Sequence, residues 1–182
     1  LAQPGSWDWK SRQNLTYRVR RREFRVPVLT PETVQELGDF TQKAFHIADK
    51  YRTPVMVLCD GVLAQMMEPV DEIKPLYNET FDKDSWAVEK GGDKKVVSSL
   101  YLNPNHLEEH SIKLKAKANE IAKNEAMYES YNLENADVVI VSYGISSRIA
   151  RKVIADIDGV NVGLVSLKTI NPFPTKFMEE IS

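Results

Sequence analysis

The stretch from residue 137 to 167 constrains this chain most. Two strand-length apolar runs, Asp137 to Tyr143 and Val162 to Leu167, flank a helical stretch from Ser147 to Asp158, with Gly144 and Gly159 in the two turns. A helix between two such runs is the pattern of a βαβ unit. Its strands run parallel because the chain travels back along the helix before it re-enters the sheet.

A second α/β pattern stands upstream. Phe24 to Leu29 is a short β-branched run that reads as a strand, although Pro27 removes a ladder donor. Thr30 is placed to cap the next helix, Pro31 suits its first position and Glu32 complements its dipole. Val34, Leu37, Thr41, Ala44, Phe45, Ala48 and Tyr51 then recur on one face, and the helix is expected to stop before Pro54. Val55 to Cys59 reads as a buried parallel strand that delivers Asp60-Gly61 at its carboxyl end. From Glu68 to Asn103 the prolines, Gly91 and Gly92 read as an irregular connection. Asn103-Pro104 opens a long polar helix, expected to reach about Tyr131, with a narrow stripe of Leu107, Leu114, Ala118, Ile121 and Tyr128. Pro172-Phe-Pro174 breaks the chain before a final helical turn.

Composition removes several function classes. With 182 residues, 42% apolar and 27% charged, the chain can bury one good core or two small ones and does not read as disordered. With 24 basic and 26 acidic residues the net charge is -2, so no nucleic-acid partner is expected. The single cysteine, Cys59, excludes a disulfide framework or a cysteine-held iron–sulfur cluster within the chain. No run of about 18 apolar residues and no basic-then-apolar leader occurs, so no membrane partner is expected and the location reads as cytoplasmic.

Several residues are candidates for chemistry. Asp60 ends a parallel strand, where open α/β sheets bind ligands, and a turn-forming Asp-Gly explains it equally well. Gln65, Met66, Met67 and Glu68 follow and suit a subunit junction or simple packing. Gly144 with Ser146 and Ser147 stands before a helix N-terminus, where free N–H groups suit a phosphate or carboxylate; serine capping is the stronger reading. His106-Leu-Glu-Glu-His110 has the spacing of inverted zinc peptidases, yet it lies on an exposed charged helix with no third ligand, so no metal is expected. Cys59 reads as a buried small hydrophobe, and the cluster Arg18, Arg20, Arg21 and Arg22 is too short to argue for nucleic acid.

Tyr51-Arg-Thr-Pro-Val-Met-Val-Leu-Cys-Asp-Gly61, followed by Gln65-Met-Met-Glu-Pro-Val70, resembles the segment that ends the first domain of 2-oxoacid:ferredoxin oxidoreductase alpha subunits. Val28 to Glu36 is similar to that family's strand-to-helix junction, Ala136 to Ala150 to its second-domain strand and helix, and Lys168-Thr-Ile-Asn-Pro-Phe-Pro174 to a later stretch. The resemblance covers residues 24 to 182 in one collinear order and is strongest to the branched-chain, 2-oxoisovalerate type. Where the family usually carries Arg-Pro before that last stretch, this chain has Ser166-Leu167. Residues 1 to 23 do not match. The family has a Gly-Gly-Gly-His run there, and Arg20-Arg-Arg22 is what a triple-glycine codon run yields one base out of register. A shifted reading frame or a mis-started gene model is therefore expected for the first 23 residues, which the genomic DNA decides.

The resemblance implies an α/β fold in two parts: the end of a thiamine-binding-type domain over 1–75, a connector over 76–103, and a transketolase C-terminal-like domain over 104–182, truncated. It implies oxidative decarboxylation of a 2-oxoacid, a branched-chain one by the nearest type, to an acyl-CoA with electrons passed to ferredoxin. Thiamine diphosphate and magnesium serve the full complex, iron–sulfur clusters sit in other subunits, and none is expected on this chain alone. Beta and gamma or delta subunits are the implied partners, with coenzyme A and ferredoxin reached through the complex. No catalytic residue is carried over, because those near the thiamine ring belong to the first domain's N-terminal half. The chain reads as unfinished at both ends and inactive by itself, with association or disorder expected near residues 1 to 60. A non-catalytic assembly module is the alternative, and a zinc peptidase ranks below it.

Overall fold

The computed structural model describes residues 26–73, 77, 81, 83, 86, 100–157 and 159–181. The residues before Val26, with their arginine cluster and proposed frame shift, and most of the predicted connector lie outside these.

Two small sheets carry the fold. In the first, β1 (Val28–Leu29) lies between β2 (Met56–Val57), parallel to it, and β6 (Thr169–Asn171), antiparallel to it. In the second, β5 (Val162–Leu167) lies between β4 (Val138–Ser142), parallel, and β3 (Tyr128–Tyr131), antiparallel. The predicted βαβ unit is present as β4, helix α3 (Ile145–Asp156) and β5. β5 is buried along its whole length, whereas β4 has Val138, Ile140 and Val141 exposed. β2 is parallel as expected but only half-buried, since nothing pairs with its outer edge among the described residues.

Helix α1 (Val34–Tyr51) starts later than the sequence suggests. Thr33, not Thr30, is its cap, and the Thr33 hydroxyl accepts from the Glu36 N–H at 3.1 Å. Thr30 is unavailable because its own hydroxyl donates to the Leu167 carbonyl at 2.7 Å, far along the chain. The buried face also differs from the expected stripe. Phe40, Ala44, Ile47 and Tyr51 pack with Leu29 and Ile121, while Phe45 is 72% exposed. Phe40, Ala44, Ile47 and Tyr51 keep the helical i, i+4, i+7, i+11 spacing, so the shift is a small rotation of the helix on its sheet.

Helix α2 (Pro104–Asn124) opens as predicted, with Asn103 capping the Asn105 N–H at 2.9 Å. It ends at Asn124 and not near Tyr131. Glu125 is buried and accepts from the Tyr51 hydroxyl at 2.9 Å and from Lys50 at 3.1 Å. Those bonds tie the helix end to α1, and Tyr128-Glu-Ser-Tyr131 pairs along β5 instead. Only the far end of the predicted α2 stripe packs, through Ile121, while Leu107 and Leu114 stay exposed. Helix α4 (Thr175–Glu180) is the expected final turn.

β6 has no counterpart in the sequence reading. One residue, Lys168, separates the end of β5 from the start of β6, so the same stretch of chain leaves the second sheet and enters the first. Its backbone is well held. The Lys168 and Thr169 N–H groups both donate to the Met127 carbonyl at 3.1 Å, and the Lys168 carbonyl accepts from Thr30 N–H at 2.9 Å.

Candidate functional site

The segments that follow the four parallel strands meet in one seam. β1 runs into Thr30–Glu36, β2 into the loop that carries Asp60 and Glu68, β4 into Gly144, and β5 into Lys168. Carboxyl ends of parallel strands are where open α/β sheets take ligands. Here they meet each other, and charge fills the space between them.

Glu32 lies at the centre and is buried. One of its oxygens accepts from the Ser166 hydroxyl at 2.7 Å; the other takes Arg151 at 3.0 Å and the Lys168 ammonium at 3.2 Å. Lys168, also buried, reaches Glu36 at 2.5 Å and Glu129 at 3.5 Å, and Arg151 reaches Glu129 at 3.1 Å. Glu36 returns a second oxygen to the Glu32 N–H at 2.8 Å. Oxygens of Glu32, Glu36 and Glu129 lie within 4.8 Å of one another, a spacing that would suit a cation. The ammonium of Lys168 takes that place, so the buried Glu32 carboxylate and its two neighbours are paired within the chain.

Asp60 and Gly144, both singled out from the sequence, come together beside this network. One Asp60 oxygen accepts from the Val62 and Leu63 N–H groups at 2.9 and 2.8 Å, and the other from Ile145 N–H at 3.2 Å. Burial pushes the Asp60 carboxyl up, but those N–H bonds together outweigh it and hold the group below the ordinary aspartate value. The anion at the start of α3 is thus Asp60 itself. Capping by serine does not occur: Gly144 is the cap residue and no side chain of its own segment caps α3. Ser147 is buried with its hydroxyl 2.8 Å from that of Ser142, and Ser146 is exposed. Gly144 has φ +59, and an added Cβ would lie 3.3 Å from the Asp60 carboxylate and 3.7 Å from the Pro31 carbonyl.

Glu68 closes the seam on the outside through an ion pair with Arg148, which holds the Glu68 carboxyl below its usual range. Of its neighbours, Met67 is almost fully exposed. Cys59 is half-buried and not a core residue. His106 and His110 line a shallow depression with Tyr101, Glu109 and Lys113, and His110 stacks on Tyr101 at 4.8 Å. In the sequence Glu32 is legible only as a dipole partner, and Glu36, Glu129, Arg151 and Lys168 belong to no motif of their own. The available signal is Lys168 itself, a charge directly after a largely apolar strand, where burial demands a partner. Away from the seam, a cleft of about 520 Å³ lies between α2, β3 and α4, with the stacked rings of Tyr128 and Phe177 in its wall.

Comparison with known proteins supplies the context. Residues 6–140 match the family described as pyruvate flavodoxin/ferredoxin oxidoreductase, thiamine diphosphate-binding, and residues 136–182 match pyruvate:ferredoxin oxidoreductase core domain II; the first match takes in residues 6–23, which corrects the expectation that the family likeness begins only at residue 24. Ketoisovalerate oxidoreductase subunit VorB of Methanothermobacter thermautotrophicus is 42% identical over 163 residues, covering 87% of this chain and 46% of that protein. 2-Oxoglutarate synthase subunit KorA of Methanocaldococcus jannaschii is 29% identical over 185 residues, covering 87% of this chain and 50% of its own length. Pyruvate synthase subunit PorA of the same organism is 28% identical over 187 residues, covering 82% and 45%. The chain spans about half the length of these curated relatives.

Proposed function

The chain belongs to the pyruvate flavodoxin/ferredoxin oxidoreductase family of thiamine diphosphate-binding domains, and from that premise we propose that it is part of the alpha subunit of a 2-oxoacid:ferredoxin oxidoreductase. The reaction is oxidative decarboxylation: the bond between the carboxylate and the 2-oxo carbon breaks, carbon dioxide leaves, the acyl group passes to coenzyme A, and the electron pair goes to ferredoxin. The observation that carries this reading is the collinear match to two consecutive domains of one enzyme class. A branched-chain substrate is favoured because identity to the ketoisovalerate subunit reaches 42%, against 29% for the 2-oxoglutarate one.

When bound, thiamine diphosphate supplies the carbanion chemistry of such a reaction. The residues of the seam do not fit it. The Glu32, Glu36 and Glu129 oxygens that would suit a magnesium ion already enclose Lys168, and the α3 N-terminus that would suit a phosphate already holds Asp60. These residues orient the two sheets, and the thiamine, its magnesium and the iron–sulfur clusters are assigned to the other segments and subunits of the complex, with beta and gamma or delta subunits as partners. The unit formed by β4, α3 and β5 is taken as transketolase C-terminal-like. No helix among the described residues is long and apolar enough to cross a membrane.

The test is dye reduction with coenzyme A, thiamine diphosphate and each of 2-oxoisovalerate, 2-oxoglutarate and pyruvate. A full-length subunit assembled with its partners is expected to reduce a viologen fastest with 2-oxoisovalerate, and the 182-residue chain alone not at all. Turnover by the isolated chain would overturn the division of labour. A faster rate with 2-oxoglutarate would overturn the substrate. The second reading, a non-catalytic assembly module, is favoured by the filled seam and the exposed apolar residues of β4 and α3. Its mark is association with the partner subunits without thiamine-dependent turnover.

A further inference from the structure

We propose that Lys168 is an internal counter-cation that locks the first sheet's Thr30–Glu36 strap onto the strand crossing from the second sheet to the first. The inference rests on geometry alone and is independent of the reaction assigned above. Lys168 is the one residue between β5 and β6, so its side chain stands where the two sheets share a strand. Its ammonium is within 3.5 Å of three carboxylates, two of them on the strap and one on β3.

Burial distinguishes this cluster from ordinary surface ion pairs, which contribute little because water screens them. The Lys168 and Glu32 side chains are 5% and 8% exposed. Without the ammonium, Glu32, Glu36 and Glu129 would hold their oxygens within 4.8 Å of one another, with Arg151 as the remaining cation bridging Glu32 and Glu129. Repulsion would then push Glu36 and the strap away from the seam. The main chain of Lys168 is anchored separately, through Met127 and Thr30, so losing the charge need not dissolve the strand crossing. Loosening is therefore expected to be local. It should show first in Thr30 N–H, which donates to the Lys168 carbonyl, and in Leu58 N–H, which donates to Leu29 on the next strand.

Amide hydrogen exchange on the full chain tests this. Lys168→Met is expected to speed exchange at Thr30 and Leu58 by about tenfold or more while the β4–β5 ladder keeps its protection, as expected of a local opening. Lys168→Arg should stay close to the parent, and Glu36→Gln added to Lys168→Met should recover part of the loss, because it removes one of the crowded charges. If Lys168→Met does not yield folded protein, Glu129→Gln serves, since Glu129 is half-exposed at the rim, and it should produce a smaller acceleration at the same amides. Unchanged exchange at Thr30 and Leu58 in Lys168→Met or, where that variant does not fold, in Glu129→Gln would overturn the lock. So would a loss of protection spread evenly over both sheets.

Discussion

Two regions of the second sheet's βαβ unit are built in opposite ways. The seam with the first sheet carries charge, and its carboxylates are answered by Lys168, Arg151, Ser166 or backbone N–H groups. Elsewhere on the unit large apolar residues stay partly exposed: Val138, Ile140 and Val141 on β4, Ile149, Val153 and Ile157 on and after α3. A hydrophobic core would ordinarily put these the other way round. The difference teaches that this chain's own contacts secure the seam through specific pairs, whereas its apolar surface is unpartnered among the described residues.

The comparison breaks most visibly at Glu32. Glu32→Ala leaves Lys168 and Arg151 short of a buried partner and strands the Ser166 hydroxyl, a change expected to cost roughly 3 to 5 kcal/mol in chemical denaturation. A cost under about 1 kcal/mol would mean that the seam is solvated and that the contrast is false.

Acidification sharpens it with a smaller effect. Asp60 and Glu68 both have carboxyls held below their ordinary values, so each contributes stability that is fully present above the ordinary carboxylate range. That contribution is lost as pH falls through the ordinary value towards the lower folded one. Melting temperature should therefore drop on acidification below the ordinary carboxylate range, and Asp60→Ala should flatten part of that drop while costing about 0.5 to 2 kcal/mol at neutral pH, as loss of a helix cap does. An Asp60→Ala variant with the parent's acid slope would remove Asp60 from the seam's account.

The smallest effect is expected at the exposed apolar residues. Val138→Thr, at a residue 55% exposed, should change stability by no more than about 0.5 kcal/mol, in either direction. A substantially larger cost in the same denaturation measurement would show that Val138 is covered after all.

Much of the framework is legible in the sequence because it depends on neighbours along the chain. The 3.6-residue and strand-length patterns identify α1, α2, β4, α3 and β5, and Asn103-Pro104 marks the start of α2 for local steric and capping reasons. Asp60 and Gly144 stand out singly, as a residue at a strand end and a glycine at a turn. What the pattern does not contain is that they touch, since Asp60 and Ile145 are separated by 85 positions.

Only the tertiary structure decided the rest. Tyr128–Tyr131 is a strand because β5 offers it an edge, and Thr30 does not cap because Leu167, 137 positions away, takes its hydroxyl. Lys168 looks like a polar residue ending a strand until Glu32, Glu36 and Glu129 close around it. The physical reason is the same in each case. Periodicity reports which residues face one side of their own element, while the pairing of a buried charge depends on which distant elements fold against it.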